Sequence, residues 1–189
     1  EKFRDYCGVK HCIATGSGSH SLFAAYAALG LKKGDEVISV ANTFTATVEP
    51  LYFWGVKPVF VDVNPATYVI DPKKIKEKIT SKTKAIAVVH LFGQAAPMDQ
   101  VIPIARKYNL KVIEDCSHAH GAKVKGKIVG TWGDIGIYSF NPGKVIGAYG
   151  DAGCIITGND AYAEFIRMFT NHGRQLKNKY IHDLHGFNL

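Results

Sequence analysis

Residues 85–115 read AIAVVHLFGQAAPMDQVIPIARKYNLKVIED. A short apolar, β-branched run at 85–91 gives way to a helical pattern at 97–108, which ends near Asn109. A second β-branched run follows at 111–115 and closes on two carboxylates, Glu114 and Asp115. Strand, helix and strand follow one another with almost no chain to spare; the first strand is apolar nearly throughout and the second at its centre. Such strands belong to a mostly parallel sheet buried on both faces by helices.

The rest of the chain repeats this alternation. Further strands are expected at 36–40, 58–63, 135–140 and 153–157. Over 19–29, Leu22, Phe23, Tyr26 and Leu29 recur at helical spacing, and Gly30 stops the helix. Asp71-Pro72 caps a helix running through Ile75 and Ile79, and another is expected at 162–169. With no repeat, low-complexity tract or linker, the chain is expected to form one α/β domain. In such sheets ligands gather at the carboxyl ends of the strands, so the residues just after each strand matter most.

At 189 residues and 47% hydrophobic content the chain can bury a full core. Its apolar runs are too short to span a membrane. The mixed charges of Glu1-Lys2-Phe3-Arg4-Asp5 lack an apolar region behind them, so no signal peptide is expected. Cys7, Cys12, Cys116 and Cys154 form no CxxC pair, which favours free thiols in a reducing cytoplasm. The net charge of +7 is spread along the chain, densest at Lys73–Lys78 and Lys123–Lys127. No basic stripe carries interleaved aromatics, so no nucleic-acid partner is expected; a small phosphorylated ligand suits the charge.

Three segments carry candidate chemistry. In Ala14-Thr15-Gly16-Ser17-Gly18-Ser19-His20-Ser21-Leu22, small residues precede a helix, where free amides and a partial positive charge suit a phosphate. An ordinary serine cap has the same appearance. In Val112-Ile113-Glu114-Asp115-Cys116-Ser117-His118-Ala119-His120-Gly121, Asp115 ends a buried strand, where a carboxylate needs a partner. Such a group can keep a heterocyclic nitrogen protonated. Asp115, Cys116, His118 and His120 also offer a metal-ligand set, although each histidine taken alone reads as structural. In the third segment, residues 135–153, an apolar strand runs into Pro142-Gly143-Lys144 and a dense glycine series. A lone lysine on a turn is ordinarily a plain surface residue, but apolar and small neighbours are the setting in which lysine loses its charge and becomes a Schiff-base former.

The ordered motifs Gly16-Ser17-Gly18-Ser19, His90-Leu91-Phe92-Gly93-Gln94, Glu114-Asp115-x-x-His118-Ala119-His120-Gly121 and Ser139-Phe140-x-Pro142-Gly143-Lys144-x-x-Gly147-Ala148 resemble the DegT/StrS family of sugar aminotransferases. Asn171-His172-Gly173-Arg174 and Gly186-Phe187-Asn188 extend the resemblance over nearly the whole chain. It implies the aspartate aminotransferase fold (fold type I) and pyridoxal 5′-phosphate (PLP) as cofactor. Lys144 matches the lysine that links covalently to PLP, and Asp115 the carboxylate that pairs with the pyridine nitrogen. His118 falls near the ring and its 3-hydroxyl, and Phe44 where an aromatic side chain stacks on the ring. Gly18, Ser19 and Ser139 match phosphate-binding positions. Asn188 matches the residue that reaches the cofactor phosphate of the neighbouring subunit. The implied partners are an amino-acid donor, a nucleotide-linked keto sugar and a second subunit in a homodimer.

The sequence departs from the family pattern in two ways. Ser19 stands where threonine is usual, keeping the hydroxyl. The chain also begins after the family's N-terminal segment and stops where a small C-terminal domain should follow, so residues 1–189 are expected to be a PLP-binding large domain truncated at both ends. Three rival readings are a PLP-dependent sugar dehydratase, whose relatives carry histidine where Lys144 stands, a metal-dependent hydrolase built on Asp115, His118 and His120, and a non-catalytic module of the same fold.

Overall fold

The computed structural model describes residues 1–178 and 180–189. Its elements in chain order are α1 (Lys2–Cys7), β1 (His11–Thr15), α2 (Gly18–Ala28), β2 (Glu36–Val40), α3 (Glu49–Phe53), β3 (Lys57–Val61), α4 (Pro72–Lys78), β4 (Thr83–Val89), α5 (Met98–Lys107) and β5 (Lys111–Asp115). They continue with the small hairpin strands β6 (Lys123–Val124) and β7 (Lys127–Ile128), then β8 (Ile135–Ser139), β9 (Gly153–Thr157) and α6 (Asp160–Phe169). Seven strands form one sheet in the order β1-β9-β8-β5-β4-β2-β3. From β8 outward to β3 every pairing is parallel, whereas β9 runs antiparallel to both β1 and β8. The expected α/β class and mostly parallel sheet are what the chain forms.

Alternation along the strands splits the core into two layers. On one face Ile13, Val37, Ala85, Ile113, Ile137 and Ile155 pack against α2, α3 and α6 through Leu22, Tyr26, Leu51, Ile166 and Phe169. On the other, Ile38, Ile86, Val88 and Val112 meet Ile75 of α4 and Val101, Ile102 and Ala105 of α5. Cys7 of α1 joins Tyr138, Cys154 and Ile156 in a smaller cluster. Helices therefore cover both faces, as the unbroken apolar strands require.

Local signals set the helix ends. The Asp71 carboxylate accepts from the Lys73 amide at 2.9 Å, with Pro72 in the first turn of α4. Gly30 (φ 64°) and Asn109 (φ 53°) take left-handed conformations just beyond α2 and α5. Asn159 caps α6, which begins two residues before the expected start, and accepts from the Ala161 and Tyr162 amides. Some boundaries move: the strand expected at 85–91 is Thr83–Val89, with Leu91–Gly93 in a 3₁₀ turn. The strand expected at 58–63 is Lys57–Val61, an edge strand that tolerates Pro58 without its N–H. Strand β1, helices α1 and α3 and the 123–128 hairpin were not expected; all are short, and β1 has a single fully apolar inward residue, Ile13.

One buried carboxylate ties the loops together. Glu114, fully buried, accepts from the amides of Gly130 (2.8 Å), Trp132 (2.7 Å) and Gly133 (2.7 Å) and from His90 Nε2 (3.1 Å). His90 Nδ1 accepts from the Ala96 amide at 2.9 Å, so its proton is on Nε2. This hub anchors the chain entering β8 and the turn leaving β4. Removing the carboxylate leaves several buried donors unpaired. Glu114→Ala should therefore lower unfolding stability by about 3–5 kcal/mol in urea titration; an unchanged midpoint would show that the hub is not structural.

Candidate active site

The carboxyl ends of β1, β2, β4, β5 and β8, with the entry to β9, surround a cleft of about 480 Å³. Gly18, Ser19, Phe44, Asp115, His118, Ser139 and Lys144 all line it, with Ser17, Thr43, Thr47, Asn141 and Asp151, over an apolar floor that includes Leu22, Ala46, Val89 and Leu91. Asn188 does not. It is exposed and bridges Asn171 in the C-terminal segment.

The mouth of α2 suits an anion. The Ser17 hydroxyl caps the helix by accepting from the His20 amide at 3.0 Å. A side-chain carbon at Gly18 would stand 2.7 Å from Ser139 Cβ, so only glycine lets the helix terminus close on Ser139. Free amides of the first turn and the hydroxyls of Ser19 and Ser139 then border one corner of the cleft, a cradle a phosphate would fill. Ser17 is thus a helix cap, and the capped terminus opens on the cleft.

Asp115 is 6% exposed at the end of β5. Its Oδ1 accepts from the Ser117 amide (3.1 Å) and its Oδ2 from the Thr47 hydroxyl (2.8 Å). His118 follows on the same turn, its ring stacked 6.1 Å from that of Phe92. Burial and then the charge of Lys144 push the His118 imidazole below its usual range, with Asp115 pulling the other way. His120 points elsewhere. It packs between Tyr138 (5.2 Å), Phe140 (5.5 Å) and Phe3 (6.4 Å), and burial again lowers its pKa.

Lys144 is half-buried on the loop between β8 and β9. Hydrogen bonds from the Phe140 amide to the Ala152 carbonyl and from the Ala148 amide to the Phe140 carbonyl, each 2.7 Å, close the base of this loop. The Asn141 amide group donates to Asp151 Oδ1 at 2.7 Å while its oxygen accepts from the Gly143 amide at 3.0 Å. The apolar neighbours of Lys144 do not wrap it: Val145, Ile146 and Tyr149 face outward. Phe44 is likewise 70% exposed, presenting its ring at the rim.

The suggested metal set of Asp115, Cys116, His118 and His120 does not converge. Among the described residues the group of three potential ligands brought together is His90, Glu114 and Cys116, whose His90 and Glu114 atoms are already engaged in the structural hub. Sequence reading passed over Thr43, Thr47, Asn141 and Asp151. Thr43 and Thr47 stand one helical turn apart on either side of Phe44, but nothing in the local sequence marks them.

The lining therefore combines an anion cradle, a buried carboxylate, an imidazole, an aromatic face and a primary amine, which fits a phosphorylated aldehyde cofactor with a basic ring nitrogen. Known proteins carry the same frame. A dTDP-3-amino-3,6-dideoxy-alpha-D-galactopyranose transaminase of Aneurinibacillus thermoaerophilus is 49% identical over 176 residues, 93% of this chain and 48% of the relative. A pleiotropic regulatory protein of Geobacillus stearothermophilus is 48% identical over 97% of this chain and 49% of its own length. The crystal structure of NtdA from Bacillus subtilis with bound cofactor PMP superposes with a TM-score of 0.92 at 41% identity, covering 98% of this chain and 42% of that one. The chain thus spans about half the length of the curated relatives it matches. The model of the DegT/DnrJ/EryC1/StrS aminotransferase family matches residues 1–189, and the chain belongs to that family.

Proposed function

We propose that the protein is a PLP-dependent aminotransferase that moves an amino group from an amino acid, glutamate by resemblance, to a nucleotide-linked keto sugar. The observation that carries this reading is the meeting of Lys144, Asp115 and the anion-binding mouth of α2 on one cleft. The names of the relatives support the sugar substrate, and the PMP in the NtdA structure supports the cofactor. Bound in this cleft, PLP would supply an aldehyde for a primary amine and a protonated ring that accepts an electron pair.

Each residue has a role in that reading. The amides of the first turn of α2 hold the phosphate, with Gly18 giving close approach and Ser19 and Ser139 donating hydroxyls. Asp115 keeps the ring nitrogen protonated by opposing charge. Phe44 covers the ring face, and His118 stands beside the 3-hydroxyl. The Lys144 amine would hold the cofactor and, when free, would take the proton from the donor's α-carbon and return it to the cofactor's C4′ carbon. Asn188 serves the phosphate of a neighbouring subunit. A homodimer suits this role, and the exposed Phe44, Phe92, Val145 and Tyr149 near the cleft and on the lysine loop offer apolar surface for it. Relatives twice as long support residues 1–189 as one domain of a larger protein. Free cysteines favour a cytoplasmic setting, and among the described residues no helix is long and apolar enough to cross a membrane.

Lys144, where sugar dehydratase relatives carry histidine, favours transfer over dehydration. A second reading, a regulatory module that binds PLP without turnover, has the name of the Geobacillus relative in its favour. An absorption spectrum with PLP, before and after glutamate, separates the two: a visible band that moves to the near-ultraviolet supports transfer, and an unmoved band supports the module.

In the intact protein Lys144→Ala should abolish turnover; retained multiple turnover contradicts the assignment. Asp115→Asn should still bind PLP while transamination slows by about 10²-fold or more, and a near-normal rate in stopped-flow would remove Asp115 from this role. In the cofactor-free protein, NMR titration should find His118 below the usual 6.5. Lys144→Ala should raise that pKa only part of the way, because burial is the larger cause, and Asp115→Asn should lower it further. A midpoint unmoved by either change would contradict the electrostatic layout.

A further inference from the structure

The two hydroxyls flanking Phe44 form a chain whose direction can be worked out. An ionised carboxylate only accepts hydrogen bonds, so the Thr47 hydroxyl, 2.8 Å from Asp115 Oδ2, must spend its one proton there. Thr43 Oγ1 lies 2.8 Å from Thr47 Oγ1. With the Thr47 proton committed, Thr43 has to donate and Thr47 to accept. The order is Thr43 to Thr47 to Asp115, each bond polarising the next.

The chain is held from behind. The Tyr26 hydroxyl of α2 donates to the Thr47 carbonyl at 2.7 Å, and both residues are 1% exposed. Burial, and secondarily the charge of Asp115, keeps the Tyr26 phenol protonated far above its usual pKa, so this donor does not switch off. Thr47, 1% exposed, is turned away from water, and its one hydroxyl proton and one of its two lone pairs are engaged in the chain. Thr43, at the other end, lines the cleft.

We propose that Thr47, backed by Thr43, is a positioning residue for the Asp115 carboxylate. The hydroxyl chain fixes the carboxylate plane and engages one of its oxygens, so a proton shared with a pyridine nitrogen stays on the ring. The ring half of this statement rests on the aminotransferase reading; the effect on Asp115 does not. The titratable groups that feel the Asp115 charge are Tyr26 from α2, Cys116 from the end of its own strand and His118 from the following turn, and Lys144 and Asp151 line the same cleft.

The test has two arms, both on the intact protein. In the first, without cofactor, the Asp115 carboxyl is titrated by carbon-13 NMR in the wild type and in Thr47→Val, Thr47→Ser and Thr43→Val. Thr47→Val should raise the Asp115 midpoint by about one to two pH units, the equivalent of one hydrogen bond to a charged group. Thr47→Ser should return it close to the wild-type value, and Thr43→Val, at a partly exposed site that threatens folding less, should raise it by a smaller amount. An unchanged midpoint in Thr47→Val and Thr43→Val, or a shift in Thr47→Ser as large as in Thr47→Val, overturns the proposal. In the second arm, PLP labelled with nitrogen-15 in the ring is added. Its resonance should be that of a protonated pyridine in the wild type and should move toward the unprotonated position in Thr47→Val. A protonated ring in both proteins, with Asp115 also unmoved, overturns the proposal and leaves the aminotransferase reading standing. A wild type that binds no PLP overturns that reading instead, while the first arm still decides the role of Thr47.

Discussion

Two carboxylates stand side by side at the buried end of the central strand β5, and a strand must turn neighbours to opposite faces. Neither can be left without partners, because an unpaired buried charge costs several kcal/mol. Glu114 is satisfied by three loop amides and His90, and so becomes the knot holding the entry to β8 and the turn after β4. Asp115 turns the other way, takes one backbone amide and one hydroxyl, and faces the cleft. The same local rule thus gives one residue to the fold and the next to the site.

The cleft follows from sheet direction. Because β1, β2, β4, β5 and β8 all deliver their carboxyl ends to one edge, five separate loops contribute side chains without any of them crossing the core. Strand β9, antiparallel, begins where the others end, so the lysine loop leaves and returns on the same edge. The loop is closed by backbone bonds at its base and clamped by Asn141 and Asp151, which holds Lys144 opposite the mouth of α2 while its apolar neighbours face outward.

Much of this was legible in the sequence because burial on both faces leaves a strong trace. Strands β2, β4, β5, β8 and β9 are buried at nearly every position around apolar centres, and the caps Asp71 and Gly30 are local chemistry. Strand β1 was illegible for the converse reason: it is an edge strand with a half-exposed pattern, and its pairing with β9 comes from far along the chain. Lys144, Asp115 and Gly18 could be picked out by motif, whereas Thr47 could not. Its importance depends on a hydrogen bond spanning 68 residues of sequence, which no local pattern encodes. The histidine pair was ambiguous because alternation fails once β5 ends; the turn sends His118 to the cleft and His120 into an aromatic cluster.

The central claim is that the Lys144 amine is the covalent anchor for PLP. Borohydride reduction of the intact protein saturated with PLP, followed by peptide mass mapping, tests it directly. The account predicts a reduced pyridoxyl group on the peptide bearing Lys144, at close to one per chain. An adduct confined to other lysines, or none at all, would contradict it.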